Sequence, residues 1–190
     1  MSPIAWALCP LKNYGNFSGR ASRAEFWWFF LFLMIGYIVM WIALFAFIGI
    51  AAGASSPNRS PWALFGVFGV LGIFMLLFWL AMLIPVIAVQ VRRLHDTDRS
   101  GWWLGAFYLL YAVYAVVLIG SLGRMMSAGL AAGNQPPDLN QPLFIFGQVL
   151  GFGMFVYGIT LIVFFCLQGT KGPNRFGDDP YGADVEEVFA

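Results

Sequence analysis

The chain has few charged residues: only 10% are Asp, Glu, Lys or Arg, and it contains one His and two Cys. A soluble domain carries about 25% charged residues, so the composition argues against a soluble protein. One His and two Cys cannot supply an ordinary four-ligand zinc site, and Cys9 and Cys166 are not placed as a disulfide framework. We therefore expect no metal, no other cofactor and no nucleic-acid partner.

Four stretches lack both charged residues and His, and each is long enough to cross a membrane. They cover about residues 26–52, 62–91, 102–122 and 143–167. A helix of about 20 residues spans the hydrocarbon core, and continuously apolar runs do not fit the alternating strands of a barrel. The sequence thus predicts an all-α fold, an integral membrane bundle of four transmembrane helices, with residues 1–190 forming a single membrane domain. Pro85 favours a kink near the end of the second helix.

The basic residues predict the orientation of these helices. Eight of the ten Lys and Arg lie in the segments 1–25, 92–101 and 168–190, and only Arg59 and Arg124 lie in the other connections. By the positive-inside rule, both termini and the middle loop are cytoplasmic. The first apolar run is much longer than the ~7–15 residues of a signal-peptide core, so it is predicted to be an uncleaved membrane anchor.

A first polar motif precedes the first helix. Ser22 followed three residues later by Glu25 fits a capping box, in which two side chains satisfy free backbone N–H groups at a helix start. Arg20 and Arg23 lie near the same helix N-terminus, where their charge opposes the helix dipole unless an anion lies between them. These arginines either reach lipid phosphates at the membrane surface or bind a defined anionic ligand or a paired acid.

A second polar motif lies between the second and third helices, in the predicted loop 92–101. Three arginines surround a neighbouring His and Asp: Arg92, Arg93, His95, Asp96 and Arg99. One interpretation is an ion-pair network that also binds headgroups. The other is catalytic, with His as a general base and arginines stabilising an oxyanion or phosphate, although no nucleophile is evident.

A third motif, KGPNRFGDDPYG at residues 171–182, follows the fourth helix and is rich in turn-forming residues. We expect it to fold back against the helix ends, so that Arg20, Arg92 and Arg93 pair with Asp96, Asp178 or Asp179. The three motifs together provide the candidate headgroup-binding or partner-binding residues: Arg20, Arg23, Glu25, Arg92, Arg93, His95, Asp96, Arg99, Asn174, Asp178 and Asp179.

The strings NYGNFSGRASRAEFWWFFLF, VRRLHDTDRSGWW and KGPNRFGDDPYG resemble the signature blocks of a bacterial inner-membrane family known as domain of unknown function 805. The resemblance extends from Leu11 to about Gly182. Members of that family usually carry Gly where this chain has Asp98, and often Tyr where it has Phe176. Asp tolerates a left-handed backbone, so the loop should be preserved. The resemblance implies a small four-helix protein of the bacterial cytoplasmic membrane and implies no established activity.

The membrane-spanning segments contain no ionisable Asp, Glu, Lys, Arg or His, which argues against a proton-coupled transporter. Gly147 and Gly151 suit close helix packing, or alternatively a self-association face. We interpret the chain as an interaction or structural protein, not an enzyme, that binds anionic lipid headgroups, a membrane protein partner or a second copy of itself. One alternative is an enzyme acting on lipid phosphates through His95 and Asp96. The other is a small transporter or channel with a polar path along Gln148 and Thr160.

Overall fold

The computed structural model describes residues 2–53, 61–132 and 142–181. These residues form five helices: α1 Pro3–Lys12, α2 Arg23–Gly53, α3 Pro61–Asp96, α4 Trp102–Ala132 and α5 Pro142–Cys166. The four helices α2 to α5 are long and apolar enough to cross a membrane, which confirms the predicted all-α bundle of four transmembrane helices. Arg59, the acidic tail after residue 181 and most of the two predicted external connections lie outside the described residues.

Helices α3 and α4 both extend beyond their predicted C-terminal bounds. Helix α3 ends at Asp96 instead of 91, and α4 ends at Ala132 instead of 122. The loop predicted at 92–101 is wrong in its first half, because Arg92 to Asp96 form the last turns of α3. The helix ends in a Schellman motif, in which Asp98 adopts a left-handed backbone with φ of 55°. The Arg99 N–H donates to the Leu94 carbonyl at 2.9 Å, and the Asp98 N–H donates to the His95 carbonyl at 3.0 Å. The expectation that Asp98 takes the place of a Gly in this turn is therefore confirmed.

An additional helix, α1, lies within the N-terminal segment 1–25, for which no helix was predicted. It begins at Pro3, which suits the first position of a helix, and the Ser2 hydroxyl accepts a hydrogen bond from the Ala5 N–H at 3.3 Å. Ala7 and Pro10 on this helix are buried. Because α1 packs against α2 and α3, it covers the start of one membrane-spanning helix and part of the next.

Pro85 removes one backbone hydrogen bond from the interior of α3, because proline has no N–H to donate to the carbonyl of Ala81. The hydroxyl of Tyr14 donates to that carbonyl from the segment following α1. A carbonyl without a partner is costly inside a membrane, where water is not available to replace the lost donor. Tyr14 therefore compensates for the proline and fixes the N-terminal segment to the middle of α3.

The packed core of the bundle is concentrated at one end, which we call the charged end. It is the end where α2 begins and where α3 and α5 finish. All four long helices contribute buried side chains there, together with the residue Ala21 just before α2: Ala21, Phe26, Phe29, Val89, Leu94, Leu104, Leu161 and Phe165. Farther along the helices, large apolar side chains such as Phe45 and Val70 are more than 60% exposed. In a membrane protein, such surfaces face lipid.

Helices α4 and α5 approach each other closely at the glycines of α5. A Cβ atom at Gly151 would lie 3.2 Å from the Tyr114 ring, and one at Gly147 would lie 3.4 Å from Val117. The predicted role of these glycines in close helix packing is thus met within the chain, by contact with α4. Their use for self-association is not required to explain the spacing.

Candidate functional site

The three polar motifs meet at the charged end, and Asp96 lies at the centre of the cluster. Arg20 approaches its Oδ1 atom with Nε at 3.0 Å and Nη2 at 2.9 Å, while Arg93 Nη1 contacts Oδ2. All three side chains are at most 1% exposed. Asp96 comes from the end of α3 and Arg20 from the segment before α2, so this carboxylate ties together parts of the chain far apart in sequence.

Two arginines on one carboxylate leave an excess positive charge, and backbone carbonyls around α5 offset it. Arg93 donates to the carbonyls of Phe165, at 3.0 Å, and Leu167. These carbonyls lie at the C-terminal end of α5, where the helix dipole favours a cation. Arg20 donates to the carbonyls of Thr170 at 2.5 Å and Gly172 at 2.6 Å. The third motif is therefore held against the first two, as the sequence predicted.

Gly169 packs directly against the Asp96 carboxylate. A Cβ atom at this position would lie 2.1 Å from Asp96 Oδ2, which is far inside contact distance. The next residue, Thr170, donates its N–H to the Asp96 carbonyl at 2.9 Å. Glycine is thus needed at 169 to let the chain leaving α5 pass across the charge cluster.

A second buried ion pair joins α2 and α3. Arg92 Nη2 lies 2.8 Å from Glu25 Oε1, and both side chains are about 5% exposed. The two groups are close enough for a charge contact but are not oriented for a hydrogen bond. Among the described residues, three buried atoms of this pair have no hydrogen-bond partner: Glu25 Oε1, Arg92 Nε and Arg92 Nη2. Burial and the neighbouring Glu25 carboxylate raise the pKa of the Cys9 thiol on α1.

His95 lies beside the Asp96 cluster but is oriented differently. Its Nδ1 atom is 3.1 Å from the Gly19 carbonyl, which requires the proton on Nδ1, and its ring stacks on Phe176 with the ring centres 3.9 Å apart. The Asp96 carboxylate is held instead by the two arginines. The geometry therefore separates the two residues that the catalytic interpretation required to act together.

The remaining candidate residues occupy the edge of the charged end. Arg175 pairs with Asp98 at 3.0 Å, with both side chains about half exposed, and Arg99 lies over the Phe164 ring at 4.0 Å. Asn174 donates to the His95 carbonyl at 2.9 Å. Asp179 accepts from the N–H groups of Tyr181 and Gly172, which lowers the pKa of its carboxyl, whereas Asp178 is exposed.

The structure places the residues predicted for the site in three groups. Buried in ion pairs are Arg20, Glu25, Arg92, Arg93 and Asp96; half-buried or exposed at the edge are His95, Arg99, Asn174, Asp178 and Asp179; and exposed at the start of α2 is Arg23. The expected pairing of Arg20 and Arg93 with Asp96 is confirmed, whereas the expected alternatives Asp178 and Asp179 were wrong, and Arg92 pairs with Glu25 instead. Glu25 and Asp96 take those arginines, because they lie on the helices themselves and are within reach inside the bundle.

Sequence reasoning missed several residues of the site. Gly169 gives no signal, because its role depends on the path of the chain across Asp96. Lys171 was counted only as a basic residue, yet it is exposed and lines one cavity with Arg23. Tyr14 could have been found from Pro85, since a proline inside a membrane helix always leaves a carbonyl to be satisfied.

The cavity is open, measures about 380 Å³, and lies at the charged end between the start of α2 and the segment after α5. Its lining includes Arg20, Arg23, Gln168, Lys171, Asp179 and Tyr181. The side-chain amide of Gln168 and the exposed cations Arg23 and Lys171 can donate hydrogen bonds to an anion, whereas Arg20 already donates to Asp96 and to two backbone carbonyls. Within the part of the chain that the structure describes, no three His, Cys, Asp or Glu side chains come together as metal ligands would.

Four membrane-spanning helices, packed mainly through a polar end, define a multi-pass integral membrane protein. Comparison with known proteins gives the family. The family described as "Protein of unknown function (DUF805)" matches residues 14–178, a range that contains the first two motifs and most of the third. The chain belongs to this family, so the resemblance seen in its sequence is confirmed.

Curated relatives give the cellular location of this type of protein. Inner membrane protein YhaI of Escherichia coli strain K12 is 31% identical over 177 residues, which cover 93% of this chain and 96% of the relative. Inner membrane protein YhaH of the same strain is 31% identical over 175 residues, covering 92% and 95%. Uncharacterized protein YiiR is 27% identical over 165 residues. No solved structure matches this chain.

Proposed function

We propose that this inner-membrane protein is a structural or interaction protein whose charged end faces the cytoplasm and binds the headgroups of anionic lipids. The observation that carries the proposal is the distribution of charge. Glu25 and Asp96 are buried in ion pairs, whereas Arg23 and Lys171 are exposed on one open cavity. The surface that a ligand meets around this cavity is therefore basic, although the whole chain has a net charge of only +1.

The exposed pair suits a phosphate group. An arginine guanidinium presents a planar fork of donors that matches phosphate oxygens, and a lysine ammonium adds a mobile point charge. Each basic residue near an anionic membrane surface contributes about 1 kcal/mol of binding. Arg23 and Lys171 together thus account for about a 30-fold preference for an anionic headgroup, without any contribution from the buried arginines.

The orientation is part of the proposal and rests on the distribution of basic residues. Eight of the ten lie in the segments that form or flank the charged end. Topology reporters fused at the C-terminus and within residues 97–101 should read cytoplasmic, and a reporter near residue 133 should read external. A C-terminal reporter that reads external would contradict the proposed orientation.

Lipid binding can be tested on the protein purified in mild detergent. Native mass spectrometry with phosphatidylglycerol or phosphatidylcholine should show selective retention of phosphatidylglycerol that weakens as salt increases. The double variant Arg23→Gln/Lys171→Gln should bind phosphatidylglycerol about 30-fold less well. Arg124→Gln is the matched control, because Arg124 is an exposed cation far from the charged end, on the last part of α4. Equal retention of the two lipids, insensitive to salt, would contradict the proposed function.

The enzyme hypothesis makes a different prediction for the same protein. If His95 only holds the charged end together, His95→Gln should keep lipid retention and abundance, because an amide can replace the imidazole donor to Gly19. A His95→Gln protein that inserts normally and binds lipid, but loses its cellular phenotype completely, would favour catalysis on a lipid phosphate. Binding of a membrane protein partner or of a second copy stays a prediction.

A further inference from the structure

Arg23 lines two adjoining depressions of different character. On one side is the polar cavity at the charged end, shared with Gln168 and Lys171. On the other side is an open apolar groove of about 540 Å³ between α2 and α5, lined by Ala24, Trp27, Trp28, Leu31, Cys166 and Arg23 itself. Arg23 therefore stands where a binding surface for a charged group changes into a binding surface for hydrocarbon.

The buried cluster positions the two segments that line both depressions. The rings of Phe26 and Phe165 are in contact, with centres 4.7 Å apart, and they fix the start of α2 beside the end of α5. Arg93 binds the carbonyls of Phe165 and Leu167, and Arg20 binds that of Thr170. The chain that carries Gln168 and Lys171 is consequently positioned before any ligand arrives.

We propose that one anionic glycerophospholipid binds here as a specific ligand, with its phosphate on Arg23 and Lys171 and an acyl chain in the groove beside Trp27 and Trp28. The inference rests on the proposed function and adds a single stoichiometric site to it. A glycerophospholipid carries its phosphate only one glycerol unit away from its acyl chains, and the depressions joined at Arg23 have the same order of polar and apolar surface. Tryptophan at this level of a membrane helix is typical of the interface between headgroups and acyl chains.

Charge favours an anionic lipid over a zwitterionic one. The polar cavity is lined by three cations, Arg20, Arg23 and Lys171, and by two carboxylates, Asp96 and Asp179. Arg20 and Asp96 are buried and committed to each other, so the cations that a headgroup meets are Arg23 and Lys171. One further carboxylate, Asp179, lies beside them and accepts from backbone N–H groups. An ammonium group on the headgroup would therefore meet net positive charge, whereas a glycerol or other uncharged headgroup would not.

The test uses the full chain in bicelles with phosphatidylglycerol carrying a photoactivatable diazirine in one acyl chain. After irradiation, mass spectrometry locates the adducts. We expect one lipid per chain and adducts concentrated on the groove residues Trp27, Trp28, Leu31 and Cys166. Phosphatidylcholine with the same labelled chain should give about tenfold fewer groove adducts, since two cations favour the anion by up to about 30-fold.

Groove-filling variants separate this inference from headgroup binding in general. Leu31→Trp and, from the opposite wall, Cys166→Trp should reduce groove adducts severalfold while detergent-solubilised protein still retains phosphatidylglycerol in a salt-dependent manner. Leu109→Trp is the matched control, because Leu109 is 68% exposed on α4, away from the groove. Arg23→Gln/Lys171→Gln should lower groove adducts of phosphatidylglycerol to the level seen with phosphatidylcholine.

Two results would overturn the inference, and they differ in what they say about the proposed function. Adducts spread evenly over the lipid-facing helices, with salt-dependent retention unchanged, would leave headgroup binding intact and remove the specific site. Groove adducts equal for the two lipids and unaffected by Arg23→Gln/Lys171→Gln, with retention also insensitive to salt, would remove both.

Discussion

At the charged end the helices bury arginines and carboxylates against one another, whereas the opposite halves of the same helices expose apolar side chains. Arg93 and Asp96 are at most 1% exposed, while Val70 on the same helix is 69% exposed. Lipid is as apolar as a leucine side chain, so burial of hydrocarbon gives little drive for helices to associate inside a membrane. Polar contacts and the close approach of helices therefore set the arrangement of this bundle, whereas apolar side chains mainly keep the helices in the membrane.

The largest loss of stability is expected when the carboxylate shared by Arg20 and Arg93 is removed. Asp96→Ala leaves Arg20 and Arg93 buried without their acid, and loss of one partner from a buried ion pair destabilises by about 3–5 kcal/mol. Thermal unfolding of the purified protein should show a large decrease in midpoint, and poor expression would have the same origin. The control is Asp98→Asn, which removes the charge that pairs with the exposed Arg175, keeps a side chain that tolerates the left-handed backbone, and should change stability by about 0–1 kcal/mol. Similar effects of the two substitutions would refute the contrast.

A smaller effect is expected from crowding the cluster without changing its charge. Gly169→Ala places a methyl group against Asp96 Oδ2, and overpacking of this kind destabilises by about 1–3 kcal/mol. Gly153→Ala on α5 is the control, since a Cβ atom there meets nothing within 4 Å. The unfolding midpoint should fall for the first variant and should stay the same or rise slightly for the second, because Ala favours a helix over Gly. An unchanged midpoint for Gly169→Ala would mean that the chain after α5 can move away from Asp96.

Tyr14→Phe should produce a loss of about 1 kcal/mol, because it removes one hydrogen bond and leaves the Ala81 carbonyl without its donor. Limited proteolysis of the N-terminal segment should accelerate at the same time, since the tie between this segment and α3 is lost. Tyr37→Phe removes a hydroxyl from an exposed position on α2 and serves as the control. Identical proteolysis rates for the two variants would show that Tyr14 does not hold the segment.

The smallest effect concerns the rate at which Cys9 reacts, measured in a Cys166→Ser background. A raised pKa means less thiolate at neutral pH, so alkylation by iodoacetamide should be slow and should increase up to a pH above the ordinary range for cysteine. Glu25→Gln removes a negative charge that disfavours the thiolate, so the pH profile should move to lower pH. Asp98→Asn should leave the profile in place. A profile that is the same with and without Glu25 would contradict the assigned cause.

The four membrane-spanning helices could be predicted from sequence because each lacks charge over a length that matches the membrane. The end of α3 could not be predicted, since the charges from Arg92 to Asp96 favour a loop over the continuation of an apolar helix. Charged residues are compatible with a helix, and α3 ends only at Asp96, where the left-handed backbone of Asp98 closes the C-terminal cap. The helix α1 had a visible signal in Ser2 followed by Pro3, but its ten residues are too few to cross a membrane, so a search for membrane-spanning runs does not find it.

The candidate site could be predicted as a meeting of three motifs in which Arg20 and Arg93 pair with Asp96, but the pairing of Arg92 with Glu25 could not be predicted. Pairing depends on which side of each helix faces the bundle, and a rotation of one residue about α2 would take Glu25 away from Arg92. The half of the capping box in which the Ser22 hydroxyl accepts from the Glu25 N–H, at 3.1 Å, was predictable because it is local. The Glu25 carboxylate instead crosses to α3, which no local rule describes.

The partners of Arg20 also set the order in which the cluster can form while the chain is being synthesised. Arg20 binds Asp96 across 76 residues of sequence and Gly172 across 152. Arg20 is therefore synthesised long before Asp96, and Asp96 long before the carbonyls of Thr170 and Gly172 that complete the cluster. A polypeptide that stops before Phe165 contains Arg20, Arg93 and Asp96 but lacks the carbonyls of Phe165, Leu167, Thr170 and Gly172 that accept from the two arginines. In such a fragment the two arginines lack carbonyl acceptors that they have in the full chain. The charge cluster is therefore complete only after the segment that follows α5 has been synthesised.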